Sequence, residues 1–206
     1  MKRTGFDPGR ISALSDGVFA IAMTLLVLDL EVPDLVADND SVQFAAGLIE
    51  QAPNILSWLL SFAILCRLWI LQHDLLAEGD TRSRGFLAWN FLFLGCVSLI
   101  PFPTSLLAEH PDQALSVIVF STVFATAGVA LAAMRRALVT GEEPDTQRRR
   151  PVSRSSGLLL ATAATSCGVA MFHPMLGALV WFTYPISAAV VRRKEQRSGG
   201  QETSEA

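Results

Sequence analysis

The feature that most constrains the fold of this chain is a series of apolar blocks, each about long enough to cross a lipid bilayer as a helix. A helix of about 20 residues crosses roughly 30 Å of hydrocarbon. About six blocks reach or approach that length: 12–30, 53–71, 85–107, 115–134, 156–172 and 174–191. With 51% hydrophobic residues and a mean hydropathy of +0.41, the 206-residue chain is too apolar for an ordinary soluble domain. We therefore predict an all-α, polytopic membrane protein with about six transmembrane helices.

Basic residues occupy alternate connections between these blocks. The 16 Lys and Arg lie in the N-terminal tail, around the second connection, in the fourth connection or in the C-terminal tail. The other connections contain none, and the first and third carry acidic residues. By the positive-inside rule, both termini are expected in the cytoplasm, which favours an even number of spans. Asp16 within the first block, and the lack of a small-residue cleavage site after it, argue against a cleaved signal peptide.

The first block carries a regular stripe. At about 100° per residue, Gly17, Ile21, Thr24 and Leu28 lie within a band about 60° wide, and Asp16 projects about 100° away from its middle. Several copies of this helix around an axis would make narrow apolar rings of Ile21 and Leu28 and a hydroxyl ring of Thr24. Ordinary helix packing explains the same stripe, because Thr readily bonds to a carbonyl of its own helix.

Two polar residues near the start of the first block also allow two interpretations. Ser15 and Asp16 could cap the helix, where they would satisfy its unpaired amides. Alternatively they extend sideways into neighbouring helices, since charged groups at membrane depth need partners and mark functional sites.

The pattern of reactive residues disfavours other function classes. No Ser/His/Asp set lies at matching depth, so we expect no enzyme, and the histidines near Glu109 and at 173 lack metal-ligand spacing, so we expect no metal site. A transporter would more often show a polar midplane site on broken helices. A small transporter and a non-conducting assembly protein stay open as alternatives. We expect the bilayer as a partner, no nucleic acid and no bound cofactor.

The segment from Arg10 to Asp16, with the apolar run that follows, resembles the R-x-x-x-F-S-D signature and first helix of the lysosomal potassium channel family called transmembrane protein 175. Trp69, His73 and Asn90 in the next two blocks support the resemblance. One departure is Leu14, which stands where the signature has phenylalanine. Leucine keeps the apolar bulk but loses aromatic stacking.

The resemblance implies a bacterial inner-membrane homotetramer that conducts K⁺ through a pore lined by the first helix. Ile21 and Leu28 would then be the constrictions, and Thr24 the selectivity layer. The resemblance also implies a pore-supporting network that contains Arg10, Ser15 and Asp16. Trp69 and His73, one turn apart on the second helix, are our candidate partners in this network. We expect one six-helix channel domain over residues 1–197 and a disordered tail over 198–206. K⁺ would be the permeant ion.

Overall fold

The computed structural model describes residues 7–30, 41–78, 84–139 and 150–188. Every regular element in these ranges is a helix, as predicted. The helices are α1 (Pro8–Leu25), α2 (Ser41–Glu50), α3 (Ala52–Glu78), α4 (Arg84–Leu99), α5 (Pro101–Glu109), α6 (Ala114–Val139), α7 (Arg150–Ala170) and α8 (Pro174–Val180). A 3₁₀ turn, Leu26–Asp29, extends α1, and residues 183–188 form a further short helical stretch.

Four helical stretches are long and apolar enough to cross a membrane, and they correspond to the first four predicted blocks. They are Pro8–Leu28, Ala52–Ala77, Arg84–Glu109 and Ala114–Leu138. The fifth block contains a shorter apolar helix, Ser156–Ala170. The sixth block is interrupted by a turn at Trp181 and Phe182, so it is not one continuous helix within the described residues. The total of six spans stays a prediction.

The first helix begins earlier than the apolar block. Asp7 is its N-cap, and the Asp7 carboxylate accepts a hydrogen bond from the Gly9 amide at 3.0 Å. Pro8 follows at the first helical position, which proline favours because that amide would lack an intrahelical partner. Ser15 and Asp16 therefore lie about two turns inside α1. The interpretation of these two residues as a helix cap is wrong.

The C-terminal part of the third span is a separate helix. Pro101 interrupts the third block, and the amide of Ile100 bonds to the Val97 carbonyl three residues back. Beyond this joint, Thr104 of α5 shares a 2.8 Å hydrogen bond with Ser61 of α3. This bond joins α5 to a different span from the one that α5 continues.

Two connections differ from expectation. The acidic first connection contains helix α2, which exposes Val42, Phe44 and Ile49. The fourth connection was expected to extend to Ser156, but α7 begins at Arg150. Most of that connection, and the predicted tail over 198–206, lie outside the described residues.

The buried core is one cluster, in which α6 packs against α4 on one side and against α7 on the other. The side chains of α1, α3 and α4 pack together, and the rings of Phe19 and Phe93 lie 5.9 Å apart. On the other side, α6, α7 and α8 meet around Trp181, whose indole nitrogen donates to Ser121 at 2.9 Å. A Cβ added at Gly177 of α8 would lie 2.7 Å from the Cβ of Ala170, so this crossing requires glycine.

Candidate pore face and its supporting side chains

Helix α1 has one buried face and one uncovered face. Its buried residues recur at spacings of three and four: Ile11, Ser15, Phe19, Ala22 and Leu26. The opposite face is open, with Ile21 61% exposed and Leu28 73% exposed. Gly17 and Thr24 are also exposed. The predicted stripe thus lies on an apolar surface that the chain's own described helices do not cover.

Thr24 uses its hydroxyl hydrogen within its own helix. The Oγ1 atom donates at 2.9 Å to the Ile21 carbonyl, which lies three residues back, so the bond is intrahelical but does not go to the carbonyl four residues back that threonine commonly uses. The same bond suits a second purpose. Because the hydrogen is directed at the backbone, the oxygen lone pairs remain available to an ion on the exposed side.

The 3₁₀ turn moves Leu28 out of the predicted stripe. The stripe assumed 100° per residue throughout, whereas a 3₁₀ turn advances about 120° per residue. From Leu25 to Leu28 the difference accumulates to about 60°. Ile21 and Thr24 therefore share one face of α1, and the expectation that Leu28 lies in the same band, about 60° wide, is wrong. Leu28 is still exposed, and its role as a constriction stays a prediction.

Asp16 contacts a neighbouring helix, as its angle predicts. The indole nitrogen of Trp69 on α3 donates to the Asp16 carboxylate Oδ1 at 2.9 Å. The Trp69 ring stacks on His73, with ring centroids 5.4 Å apart and planes inclined by 27°. Asp16 and His73 are exposed and Trp69 is 37% exposed, so this set lies at the edge of the packed helices.

A second polar set lies in the interior next to the first. Gln72 of α3 donates from Nε2 to Ser15 Oγ at 3.0 Å and to Asn90 Oδ1 of α4 at 2.7 Å. Ser15 in turn donates to the Ile11 carbonyl at 3.0 Å. Sequence reasoning missed Gln72. The available signal was its position three residues after Trp69, which puts both side chains on one face of α3.

Two residues of the predicted signature lie apart from these sets. Arg10 is exposed, and among the described residues its side chain has no hydrogen bond or ion pair. Leu14, in the place of the signature phenylalanine, is 47% exposed. Within one chain the structure brings Asp16, Trp69 and His73 together, and Ser15 joins Gln72 instead. It does not bring Arg10 to either set.

The described helices offer no site for a metal ion, since no three His, Cys, Asp or Glu side chains among them are grouped. The polar atoms beside α1 are amide, indole, hydroxyl and carboxylate groups that bond to one another. Such an arrangement fixes the positions of helices and leaves the exposed face of α1 as the surface that could meet a permeating ion.

The polar side chains beside α1 all lie in a region of this chain that matches a known family. The model of the family "Endosomal/lysosomal potassium channel TMEM175" matches residues 10–101. A potassium channel of Chamaesiphon minutus is 39% identical over 121 residues, which cover 57% of this chain and 59% of that relative, a little under two thirds of its length. A potassium channel of Streptomyces collinus is 30% identical over 188 residues, which cover 89% of this chain and 87% of that relative.

A solved structure agrees over most of the chain. The crystal structure of a lysosomal potassium-selective channel TMEM175 homolog from Chamaesiphon minutus superposes with a TM-score of 0.74 at 28% identity. The match covers 89% of this chain and 96% of that one. The resemblance first read from the segment around Arg10 is thereby confirmed by sequence and by fold. This all-helical, multi-pass membrane chain belongs to the TMEM175 family of ion channels.

Proposed function

We propose that this chain is a potassium channel whose pore is lined by α1 of four identical subunits. The observation that carries the proposal is the uncovered apolar face of α1, which lies in the stretch matched to the family and opposite the helix's buried face. Relatives that align over much of the chain are potassium channels. An ion channel is not an enzyme class, so the proposal includes no catalytic activity.

A single helix cannot enclose a pore, so the proposal requires several copies around an axis. The uncovered face of α1 is mostly aliphatic, and such a face is more stable against protein or hydrocarbon than against water. Four copies that meet around Ile21 would form a narrow ring. Apolar rings of this kind obstruct ions by excluding water, so they act as constrictions that open when they widen.

Thr24 supplies the oxygens in this arrangement. Each subunit would present one hydroxyl oxygen, one turn beyond Ile21, with its hydrogen directed at its own backbone. A cation that sheds part of its water can take these oxygens as replacement ligands. Potassium loses water more readily than sodium, so a weak oxygen ring favours potassium modestly. Leu28 would form a second apolar constriction beyond the 3₁₀ turn.

The side chains beside α1 hold it without touching the ion path. Trp69 with Asp16, and Gln72 with Ser15, each connect α1 to α3. We assign Asp16, Ser15, Trp69 and His73 a supporting role and include Arg10 in that role on the resemblance alone.

We further propose a bacterial inner-membrane location with both termini in the cytoplasm. The support is the distribution of the 16 basic residues over alternate connections. In a variant without native cysteines, an impermeant thiol reagent added from outside should modify Asp112→Cys and spare Ala77→Cys. Labelling of Ala77→Cys in intact cells, at the rate of Asp112→Cys, would contradict this orientation.

Single-channel recording of the purified protein in planar bilayers tests the function itself. A channel gives discrete current steps whose reversal potential under K⁺/Na⁺ bi-ionic conditions shifts towards the K⁺ equilibrium potential. A non-conducting assembly protein gives no steps, and a transporter gives a saturable flux without steps. The mass of the detergent-solubilised assembly, measured by light scattering, tests the tetramer separately.

A further inference from the structure

Gln72 lies at the centre of the buried polar set beside α1. Its side chain is 1% exposed, and the two groups that it contacts, on Ser15 and Asn90, are 1% and 0% exposed. In a membrane span such polar groups find no water, so each lost hydrogen bond leaves a costly unpaired group. Gln72 is the one described residue whose side chain bonds to both α1 and α4.

The directions of these bonds require a primary amide. The Ser15 hydroxyl hydrogen is already donated to the Ile11 carbonyl, so Ser15 Oγ can only accept from Gln72. Asn90 also accepts, through Oδ1, and its side chain has no other hydrogen bond among the described residues. Both contacts need a hydrogen from residue 72. A carboxylate has none and a carboxylic acid has one, whereas the glutamine amide has two.

The hydrogen bond between Gln72 and Ser15 fixes the rotation of α1 about its own axis, and this rotation sets the direction of the exposed face of α1. Ser15 lies on the buried face, and Ile21 six residues later projects about 120° away around the same helix. Because a side-chain tip lies about 6 Å from the helix axis, a rotation of α1 by about 20° would move the Ile21 tip by about 2 Å. A displacement of that size is comparable with the difference between an open and an occluded apolar ring.

We propose that Gln72 is a positioning residue for conduction, which fixes the rotation of α1 through Ser15 and thereby holds the Ile21 ring open. The proposal rests on the proposed pore function of α1. Gln72 touches no ion in this scheme. Without its two bonds, α1 turns so that the Ile21 side chains approach one another and exclude water.

The test compares Gln72→Met with Gln51→Met in single-channel recordings. Gln51 lies next to the outer end of α3, where its Oε1 accepts a hydrogen bond from Asn54 Nδ2 at 2.6 Å, so it provides a matched loss of an amide far from Ser15. Gln72→Met should lower the ratio of open to closed dwell times about fivefold, the effect of one typical net hydrogen bond. Gln72→Glu should lower it as well, and Gln51→Met should leave it unchanged.

A cycle with Ser15→Ala separates positioning from general loss of structure. If Gln72 acts through Ser15, the double variant should show the same dwell-time ratio as Gln72→Met alone. The K⁺ to Na⁺ permeability ratio should stay at the wild-type value, because the Thr24 oxygens remain. If Gln72→Met does not assemble, Ser15→Ala alone decides, since it deletes one oxygen and must lower the same ratio.

Two results would overturn the proposal while the pore function stands. The first is wild-type gating in Gln72→Met or, if that variant does not assemble, wild-type gating in Ser15→Ala. The second is a double variant in which the effects of Gln72→Met and Ser15→Ala on the dwell-time ratio simply add. Absence of current from the wild-type protein would instead refute the proposed function itself. Recording per channel keeps a reduced yield of tetramers from being mistaken for altered gating.

Discussion

The bond between Trp69 and Asp16 allows a quantitative test of how α1 is held against α3. Trp69→Phe removes the indole N–H but keeps an aromatic ring over His73. A hydrogen bond to a charged acceptor typically contributes about 1.5–3 kcal/mol. Here Trp69 is 37% exposed and Asp16 is exposed, so water competes for both groups and we expect about 1 kcal/mol. For a chain of this size, that lowers the midpoint of thermal unfolding by about 2–4 °C.

A double-mutant cycle isolates this bond. Trp69→Phe, Asp16→Ala and the double variant are purified in detergent, and their unfolding is followed by far-ultraviolet circular dichroism. Each single variant should lose about 1 kcal/mol through this contact, and the double variant should lose little more, a coupling of about 1 kcal/mol. Trp89→Phe is the matched control, because Trp89 is 38% exposed and its indole has no hydrogen-bond partner among the described residues. Strictly additive losses would refute the reasoning.

Three further predictions address the pore and the packing of α8. Gly177→Ala should destabilise the fold by about 1–3 kcal/mol, because its Cβ would lie 2.7 Å from the Cβ of Ala170. As the control, Gly168→Ala should leave the melting midpoint unchanged or slightly higher, because a Cβ added there has no neighbouring atom within 4 Å. Thr24→Val should reduce the K⁺ to Na⁺ permeability ratio and Thr24→Ser should retain most of it; equal bi-ionic reversal potentials for wild type and the Val variant would exclude Thr24 from selectivity. Ile21→Ala should raise unitary conductance by widening the ring, and wild-type conductance in that variant would move the constriction elsewhere.

Hydropathy predicts the spans well for a simple physical reason. A helix in lipid needs apolar side chains on nearly every face, so its signal is a long uninterrupted run. Helix α2 was missed because it is short and lies within an acidic connection, where the local pattern indicates a loop. The division of the third span at Pro101 was predictable, since proline lacks the amide that would continue the helix.

The candidate site was predictable only in part. The angle of Asp16 from the stripe correctly indicated a contact with a neighbouring helix, and Trp69 was one of the two candidate partners named from their spacing on that helix. The position of Leu28 was not predictable, because a change from α to 3₁₀ geometry depends on packing that residue spacing does not record. Gln72 was missed for a related reason. A glutamine next to His73 near the end of a span suggests solvation, and only the approach of α4 shows that it is buried.

The joint at Ile100 and Pro101 gives the third span the mechanical character of a hinge. Pro101 has no amide hydrogen and the Ile100 amide bonds three residues back, so the regular main-chain ladder is incomplete at this joint, although the Thr104 amide still bonds across it to the Ile100 carbonyl at 3.2 Å. The segment beyond the joint, α5, shares its side-chain hydrogen bond with Ser61 of α3. A bend at this joint would let α5 move with the Ser61 end of α3 while Asn90, on the other side of the joint, keeps its hydrogen bond to Gln72. The α5 end of the span could thus shift without breaking the bonds that join α1 to α3.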